Sequence, residues 1–265
     1  MGSRLSALAQ LLVATCIAIQ PAPSRGDEKS LRRQDFVEIK STADRTVRVL
    51  VVYPQVETPA HVVIIVHEDR GLTSWERRLA DQLAEAGFIA IAPDLLSNVA
   101  AKGSGTDSFE TVAAARAAIY DLKPEQVAAD LDAVFDYARN LSGGDRRVAV
   151  AGFGWGGAQS FLYAAHNPDV LATAVFYGAA PSAEAMKRIK APIFGFYAEN
   201  DARISGEVSK VKGQMQAAGR DLQAVTYAGA GHGFFRTGET KDAGPADCKA
   251  RSEAWSRLLD VLSGR

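Results

Sequence analysis

The run Arg147-Val148-Ala149-Val150-Ala151-Gly152-Phe153-Gly154-Trp155-Gly156-Gly157 constrains this chain more than any other. Its first residues have β character, its last six include four glycines, and a helix-compatible segment, Ala158 to His166, follows. A strand that ends this way brings backbone close to backbone and turns sharply into a helix whose first N–H groups are open to a ligand. Two chemistries use such a turn. One exposes a nucleophile at the third residue of Gly-x-Nuc-x-Gly-Gly, which here is Gly154, a residue with no side chain. The other cradles a dinucleotide on Gly-x-Gly-x-x-Gly, which Gly152-x-Gly154-x-x-Gly157 spells literally. The nucleotide reading requires the first βα unit and an acid at the end of the next strand, about twenty residues on. That strand ends Val175-Phe176-Tyr177-Gly178, without a carboxylate.

The rest of the chain alternates in a way that accommodates the turn. Asp35 to Lys40 and Thr46 to Tyr53 are β-rich runs joined by Ser41-Thr42-Ala43-Asp44-Arg45, a hairpin. His61-Val62-Val63-Ile64-Ile65-Val66-His67 is a continuous apolar run, as expected of a strand buried on both faces. Further strands are expected at Phe88 to Ala92, Leu171 to Tyr177, Pro192 to Tyr197 and Leu222 to Tyr227. Helices are expected at Trp75 to Ala86, Pro124 to Leu141, Gly206 to Ala218 and Asp247 to Leu262. An antiparallel start followed by βα units predicts a doubly wound, mostly parallel α/β sheet. Asp94 to Ser108 is a long irregular segment after a strand end, either a rim of the site or a mobile insertion.

Met1-Gly2-Ser3-Arg4, an apolar stretch from Leu5 to Ile19 and Pro21-Ala22-Pro23-Ser24 read as a secretory signal peptide spanning 1–24. Export to the periplasm or medium is the expectation, with a single domain over 27–265 and no stable membrane span after cleavage. Val13-Ala14-Thr15-Cys16 departs from a lipoprotein box, with Thr in place of the small residue before Cys, so an anchor at Cys16 is not expected. The mature chain then holds one cysteine, Cys248, which reads as a passive small residue and allows no internal disulfide. The net charge is −1 and basic residues form no aromatic-interleaved stripe, which argues against a nucleic-acid partner.

In a parallel sheet the functional groups project from the carboxyl ends of strands. Those ends carry His67-Glu68-Asp69-Arg70-Gly71-Leu72, the Gly154 turn, Glu199-Asn200-Asp201 and Gly231-His232-Gly233-Phe234-Phe235-Arg236. Taken singly, Asp201 could cap a helix, His232 could be an ordinary loop residue and Arg236 a solvated charge. In order they spell turn, acid, histidine, the chain order of Ser/Cys-Asp-His hydrolases. His67-Glu68-Asp69-Arg70-Gly71 breaks the His-Glu-x-x-His zinc spacing. No metal, nucleotide or flavin cofactor is expected. His67 reads as a structural, hydrogen-bonded histidine, and Tyr163 and His166 as packing residues.

His67-Glu68-x-x-Gly71-Leu72, Ala92-Pro93-Asp94-Leu95-Leu96, Gly152-Phe153-x-Trp155-Gly156-Gly157, Tyr177-Gly178, Asp201 and His232-Gly233-Phe234 together resemble the dienelactone hydrolase family, within the α/β-hydrolase fold. The resemblance runs from about Asp35 to the C-terminal helix. It implies His232 as base, Asp201 as its orienting acid and Glu68 as a carboxylate that helps ionise a cysteine thiol. It also implies an oxyanion hole from the backbone N–H groups of Trp155 and Asp69, and recognition of a substrate carboxylate by Arg236, aided by Arg70. The family carries Cys or Ser where this chain has Gly154. The expectation is therefore a protein for small, carboxylate-bearing esters or lactones whose turnover is lost or slow, or one that only binds such ligands.

Overall fold

The computed structural model describes residues 32–100 and 105–264. The expected leader, including Cys16, lies outside the described residues, as do residues 101–104 of the loop after Asp94. Eight strands form one sheet: β1 (Gln34–Thr42), β2 (Arg45–Val52), β3 (Ala60–Val66), β4 (Ile89–Asp94), β5 (Gly144–Phe153), β6 (Thr173–Phe176), β7 (Ile193–Asn200) and β8 (Leu222–Gly231). Their spatial order is β1-β2-β4-β3-β5-β6-β7-β8. β1 and β2 pair antiparallel, and β2 pairs antiparallel with β4. Every pairing from β4 through β8 is parallel, so the doubly wound sheet with an N-terminal hairpin is the architecture.

Helices cover both faces: α1 (Ser74–Glu85), α2 (Val112–Tyr120), α3 (Pro124–Arg139), α4 (Trp155–His166), α5 (Ala183–Met186), α6 (Ala202–Ser205), α7 (Val208–Ala217), α8 (Phe234–Thr237) and α9 (Pro245–Ser263). The apolar run of β3 shows why. Val63 and Ile65 point into one core with Leu79 of α1 and Leu258 of α9. Val62, Ile64 and Val66 point into another with Leu131 and Val134 of α3. Successive side chains leave a strand on opposite faces, so a strand packed on both sides must be apolar throughout. Each such fully buried Val or Ile contributes about 1.5–3 kcal/mol. By contrast β1, an edge strand, alternates exposed and half-buried residues along its whole length.

Several details differ from the sequence expectations. Helix α2 was not anticipated, nor were the short helices α5, α6 and α8. Helix α4 begins at Trp155 rather than Ala158 and so includes Gly156 and Gly157, despite the poor helix propensity of glycine. Packing decides it, since a Cβ on Gly156 would lie 2.3 Å from the carbonyl oxygens of Val66 and His67. The glycines thus let α4 sit directly on β3. Tyr163 and His166 also do more than pack: Tyr163 donates to Asp132 at 2.9 Å and His166 Nε2 lies 2.7 Å from the other oxygen of the same carboxylate.

Candidate active site

Gly154 sits between β5 and α4 with φ 55° and ψ −112°. Residues with a Cβ avoid this conformation, and glycine adopts it at little cost. A Cβ placed there would meet no atom closer than 3.9 Å, and what it would meet is His232 Nε2 and the ring of Tyr177. The turn therefore has room for a side chain, and that side chain would face a histidine.

His232 follows the end of β8, and Asp201 follows the end of β7, its neighbour in the sheet. The two are 2.5 Å apart, Nδ1 to Oδ2. Asp201 is 7 % exposed, whereas His232 is 44 % exposed. A buried carboxylate on Nδ1 fixes the ring and leaves Nε2 as the atom turned toward the cavity.

Glu68 lies across the cavity, at the end of β3, and is buried. It does not stand free. Tyr177 donates its hydroxyl to Oε1 at 3.1 Å, and Arg236 donates its Nε to Oε2 at 2.7 Å. Burial works against the charge of Arg236, but Glu68 outweighs it and holds that guanidinium charged more firmly than usual. Burial, with Glu68 beside the hydroxyl, raises the Tyr177 phenol well above its ordinary range. Tyr177 also carries a positive φ, 38°, which costs a non-glycine residue strain and is tolerated where the surroundings enforce it. Behind Glu68, Glu76 caps α1 through Thr73 and accepts the Glu68 backbone N–H at 3.3 Å. Its carboxyl is raised chiefly by burial.

The cavity enclosed by these groups measures about 280 Å³. All of the expected site residues except Asp201 line it, Asp201 standing behind His232. Trp155 contributes as the first residue of α4, where N–H groups are free of intrahelical partners. Its ring stacks on His67 at 5.6 Å. His67 itself is a buried structural histidine, with Nδ1 on the Glu68 carbonyl at 2.8 Å and Nε2 accepting Leu95 N at 3.2 Å. Asp69 turns its side chain to Arg116, Oδ2 to Nε 2.8 Å. Cys248, half-buried in the first turn of α9, does not line the cavity.

Arg236 is the expected residue whose surroundings differ most from the sequence reading. Its Nε is committed to Glu68, so a ligand would meet only the outer part of the guanidinium. Among the lining residues not expected in the site, four carry polar groups: Arg116 and Tyr120 from α2, Tyr177, and Arg203 from α6. The loop at Asp94 folds back to this rim. Asp94 accepts the Thr106 N–H at 2.7 Å, and Thr106 Oγ1 accepts Leu72 N at 2.9 Å, two residues from Arg70. Among the described residues no cluster of three His, Cys, Asp or Glu side chains could hold a metal, and no helix is long and apolar enough to cross a membrane.

Comparison with known proteins gives the same picture. The chain is 31 % identical over 218 residues to the "Putative carboxymethylenebutenolidase" of Escherichia coli K12, covering 78 % of each protein. Among solved structures it is similar to the "Putative Dienelactone Hydrolase" of Klebsiella pneumoniae, with a TM-score of 0.76 at 25 % identity, covering 88 % of this chain and 99 % of that one. A dienelactone hydrolase from Anabaena variabilis shares the fold with a TM-score of 0.64 at 18 % identity, over 86 % of this chain and 97 % of that one. The profile described as "Dienelactone hydrolase family" matches residues 47–264, from within β2 to just past α9. That match takes in every strand end that lines the cavity, and the chain belongs to the dienelactone hydrolase family.

Proposed function

We propose that the cavity receives small esters or lactones that carry a carboxylate, and that Gly154 occupies the place from which family members attack them. The observation that carries this reading is the Cβ position of Gly154, open and 3.9 Å from His232 Nε2, while His232 and Asp201 keep their hydrogen bond. Without a nucleophilic side chain no acyl-enzyme forms. What remains is direct attack by water. His232 Nε2 takes a proton from a water molecule, the hydroxide adds to the carbonyl carbon, and the negative oxygen is held by the backbone N–H groups of Trp155 and Asp69. The imidazolium then returns its proton to the departing alkoxide. An oxyanion hole and binding alone retain only about 10³ to 10⁴ over the uncatalysed rate in triad enzymes, so wild-type turnover is slow.

A second reading, a protein that binds such ligands without turning them over, is favoured by the Glu68 contacts. That carboxylate lines the cavity, but both of its oxygens are already engaged, by Tyr177 and Arg236. The two readings separate on one experiment. Wild type and Gly154→Cys are assayed on a panel of small esters and lactones, with His232→Ala in each background. Activity in Gly154→Cys well above wild type, lost with His232→Ala, and an acyl adduct on the new thiol support the catalytic inheritance. A folded Gly154→Cys protein inert across the panel, with an inert wild type, leaves the binding reading.

The leader pattern of residues 1–24 supports export as part of this proposal. Amino-terminal sequencing of protein from its native host should find a start near Arg25, and an intact Met1 in the mature protein would refute it.

A further inference from the structure

Beside the cavity over Gly154 lies a second one of about 300 Å³, between the segment after β6 and helices α5, α6 and α7. The two adjoin, since Ala179, Arg203 and Ile204 line both. The register makes them neighbours. Phe153 of β5 pairs with Phe176 of β6, and Phe176 with Phe196 of β7, so the residues that follow, Gly154, Tyr177 and Tyr197, form one row across the sheet. Two strand spacings of about 4.8 Å put the backbone at Tyr197 about 10 Å from that at Gly154. Tyr177 lines the first cavity and Tyr197 the second.

Tyr197 gives the second cavity its chemistry. It is 2 % exposed, as deeply buried as Tyr163 and Tyr177. Each of those donates its hydroxyl to a carboxylate, Tyr163 to Asp132 and Tyr177 to Glu68. The Tyr197 hydroxyl has no hydrogen-bond partner among the described residues, and burial alone raises its phenol, with no neighbouring charge contributing. A buried phenol ordinarily finds a partner, and leaving it without one is costly. Its ring lies over Gly195, where an added Cβ would collide with it, so the strand gives up a side chain to seat the ring. The floor around it is apolar, from the buried Met186, Ile204 and Val211. Two charges at the mouth, Glu207 and Lys210, are exposed and pair with each other at 2.7 Å. An apolar floor with one unsatisfied hydroxyl suits an uncharged ring that carries a hydrogen-bonding atom, and disfavours a charged group. Volume argues the same way. Ligand sites measure about 300–1,000 Å³; each cavity alone stands at the bottom of that range, and the two together fall well inside it.

We propose that the two cavities form one site, in which the ligand's carbonyl lies over Gly154 and an uncharged aromatic substituent of the same molecule crosses Ala179 and Ile204 to hydrogen-bond the Tyr197 hydroxyl. This rests on the reading of the first cavity as the ligand site and adds a specificity-determining pocket for the arm of the ligand that bears no charge. The Tyr197 hydroxyl donates to an oxygen on the ring or accepts from a ring hydroxyl.

Isothermal titration of the wild-type protein with N-acetyltyrosine, N-acetylphenylalanine and N-acetylalanine tests the proposal, with p-cresol as the arm alone. The three acids share an amide carbonyl and a carboxylate and differ only in the arm. The expected result is N-acetylphenylalanine bound about tenfold or more tightly than N-acetylalanine, from burial of the ring. N-acetyltyrosine should bind about fivefold more tightly again, from the added hydrogen bond, and p-cresol more weakly than N-acetyltyrosine. Tyr197→Phe should bring N-acetyltyrosine to the level of N-acetylphenylalanine and leave the other two acids unchanged. Ala183→Trp, on the exposed first turn of α5, fills the second cavity and should bring both ring-bearing acids down to N-acetylalanine. Equal affinity, or equal lack of it, for the three acids would overturn the proposal. So would a phenol preference that survives Tyr197→Phe, a ring preference that survives Ala183→Trp, or p-cresol as tight as N-acetyltyrosine, which would make the second cavity a separate site. Ala183 is exposed, so its substitution tests the proposal even where Tyr197→Phe fails to fold. The Gly154→Cys assay separates the two layers. Gained activity on small esters with no ring preference in binding removes the aromatic pocket alone, while the expected binding order in a protein whose Gly154→Cys form is inert removes the catalytic reading alone.

Discussion

At the carboxyl ends of the parallel strands, His232 Nδ1 meets Asp201; at their amino ends, His61 Nδ1 meets Asp145 in the same way. The register fixes the second location, since Ala60 of β3 pairs with Gly144 of β5 and the two residues follow directly. The pairs differ in what lies around them. Beyond His61 Nε2 stands the guanidinium of Arg147, 3.3 Å away, and Asp145 is 21 % exposed. Beyond His232 Nε2 lies a cavity and the open Cβ position of Gly154, and Asp201 is 7 % exposed. A histidine on a carboxylate is thus a common stabilising contact. Burial of the acid and an open place beside Nε2 are what distinguish His232, the proposed base, from the surface pair.

The sharpest way to break this comparison uses the restored thiol. In Gly154→Cys, Asp201→Asn should lower kcat/KM by about 10² to 10⁴, because the amide no longer holds the imidazole in the right tautomer. Asp145→Asn in the same background should leave kcat/KM within about twofold. Equal losses from the two substitutions would mean that activity reports folding and not the site, and the distinction between the pairs would fall.

The comparison also shows what the sequence makes legible. Strand-forming runs, the glycine turn and the order Asp201 before His232 are local patterns, and the structure places them as expected. The apolar run of β3 carries its own burial, because period-2 alternation with both faces covered leaves no polar position. Helix α2 was not legible for the opposite reason. Its Val112-Ala113-Ala114-Ala115-Arg116-Ala117-Ala118-Ile119-Tyr120 buries only Ala115 and Ile119, so it shows no apolar stripe. Arg116 and Tyr120 were therefore missed as cavity residues. Nor could the bond between Glu68 and Arg236 be read, since 168 residues separate them and only the closing of the sheet brings them together. The dinucleotide reading of Gly152-x-Gly154-x-x-Gly157 does not fit the position of the turn. It follows the fifth strand rather than opening the first βα unit, and β6, the strand after α4, ends at Phe176 with Tyr177-Gly178 beyond it and no carboxylate.

A smaller effect should separate the two ends by stability. Glu68 is 7 % exposed, and its removal leaves the charge of Arg236 and the Tyr177 hydroxyl without their acceptor. Breaking a fully buried pair costs about 3–5 kcal/mol. Arg236 keeps some contact with water at 24 % side-chain exposure, so Glu68→Ala should cost about 2 kcal/mol in urea unfolding. Asp145→Ala, at the more exposed end, should cost about 0.5 kcal/mol. A Glu68→Ala protein as stable as wild type would show that Glu68 belongs to ligand chemistry alone and contributes nothing to the frame of the cavity.

The smallest expected difference lies in alkali. Tyr197, toward the carboxyl end of β7, has its phenol raised above its ordinary value of 10.0 by burial. Tyr53 lies at the other end, because β2 runs antiparallel and finishes beside the start of β4. Its phenol is raised by burial and by Tyr137, but it remains partly open to water. A group whose pKa rises on folding keeps its proton in the native state after the unfolded chain has lost it. Its stabilising contribution is complete below pH about 10 and is lost as pH climbs through and beyond that value. Melting temperature should therefore fall between pH 9 and about 11, and Tyr197→Phe, which cannot ionise, should reduce the fall. Tyr53→Phe should change it less, because an exposed phenolate is solvated in both states. A wild-type profile flat to pH 11, or an equal effect of the two substitutions, would show that the two ends of the sheet do not differ in how tightly they hold their tyrosines.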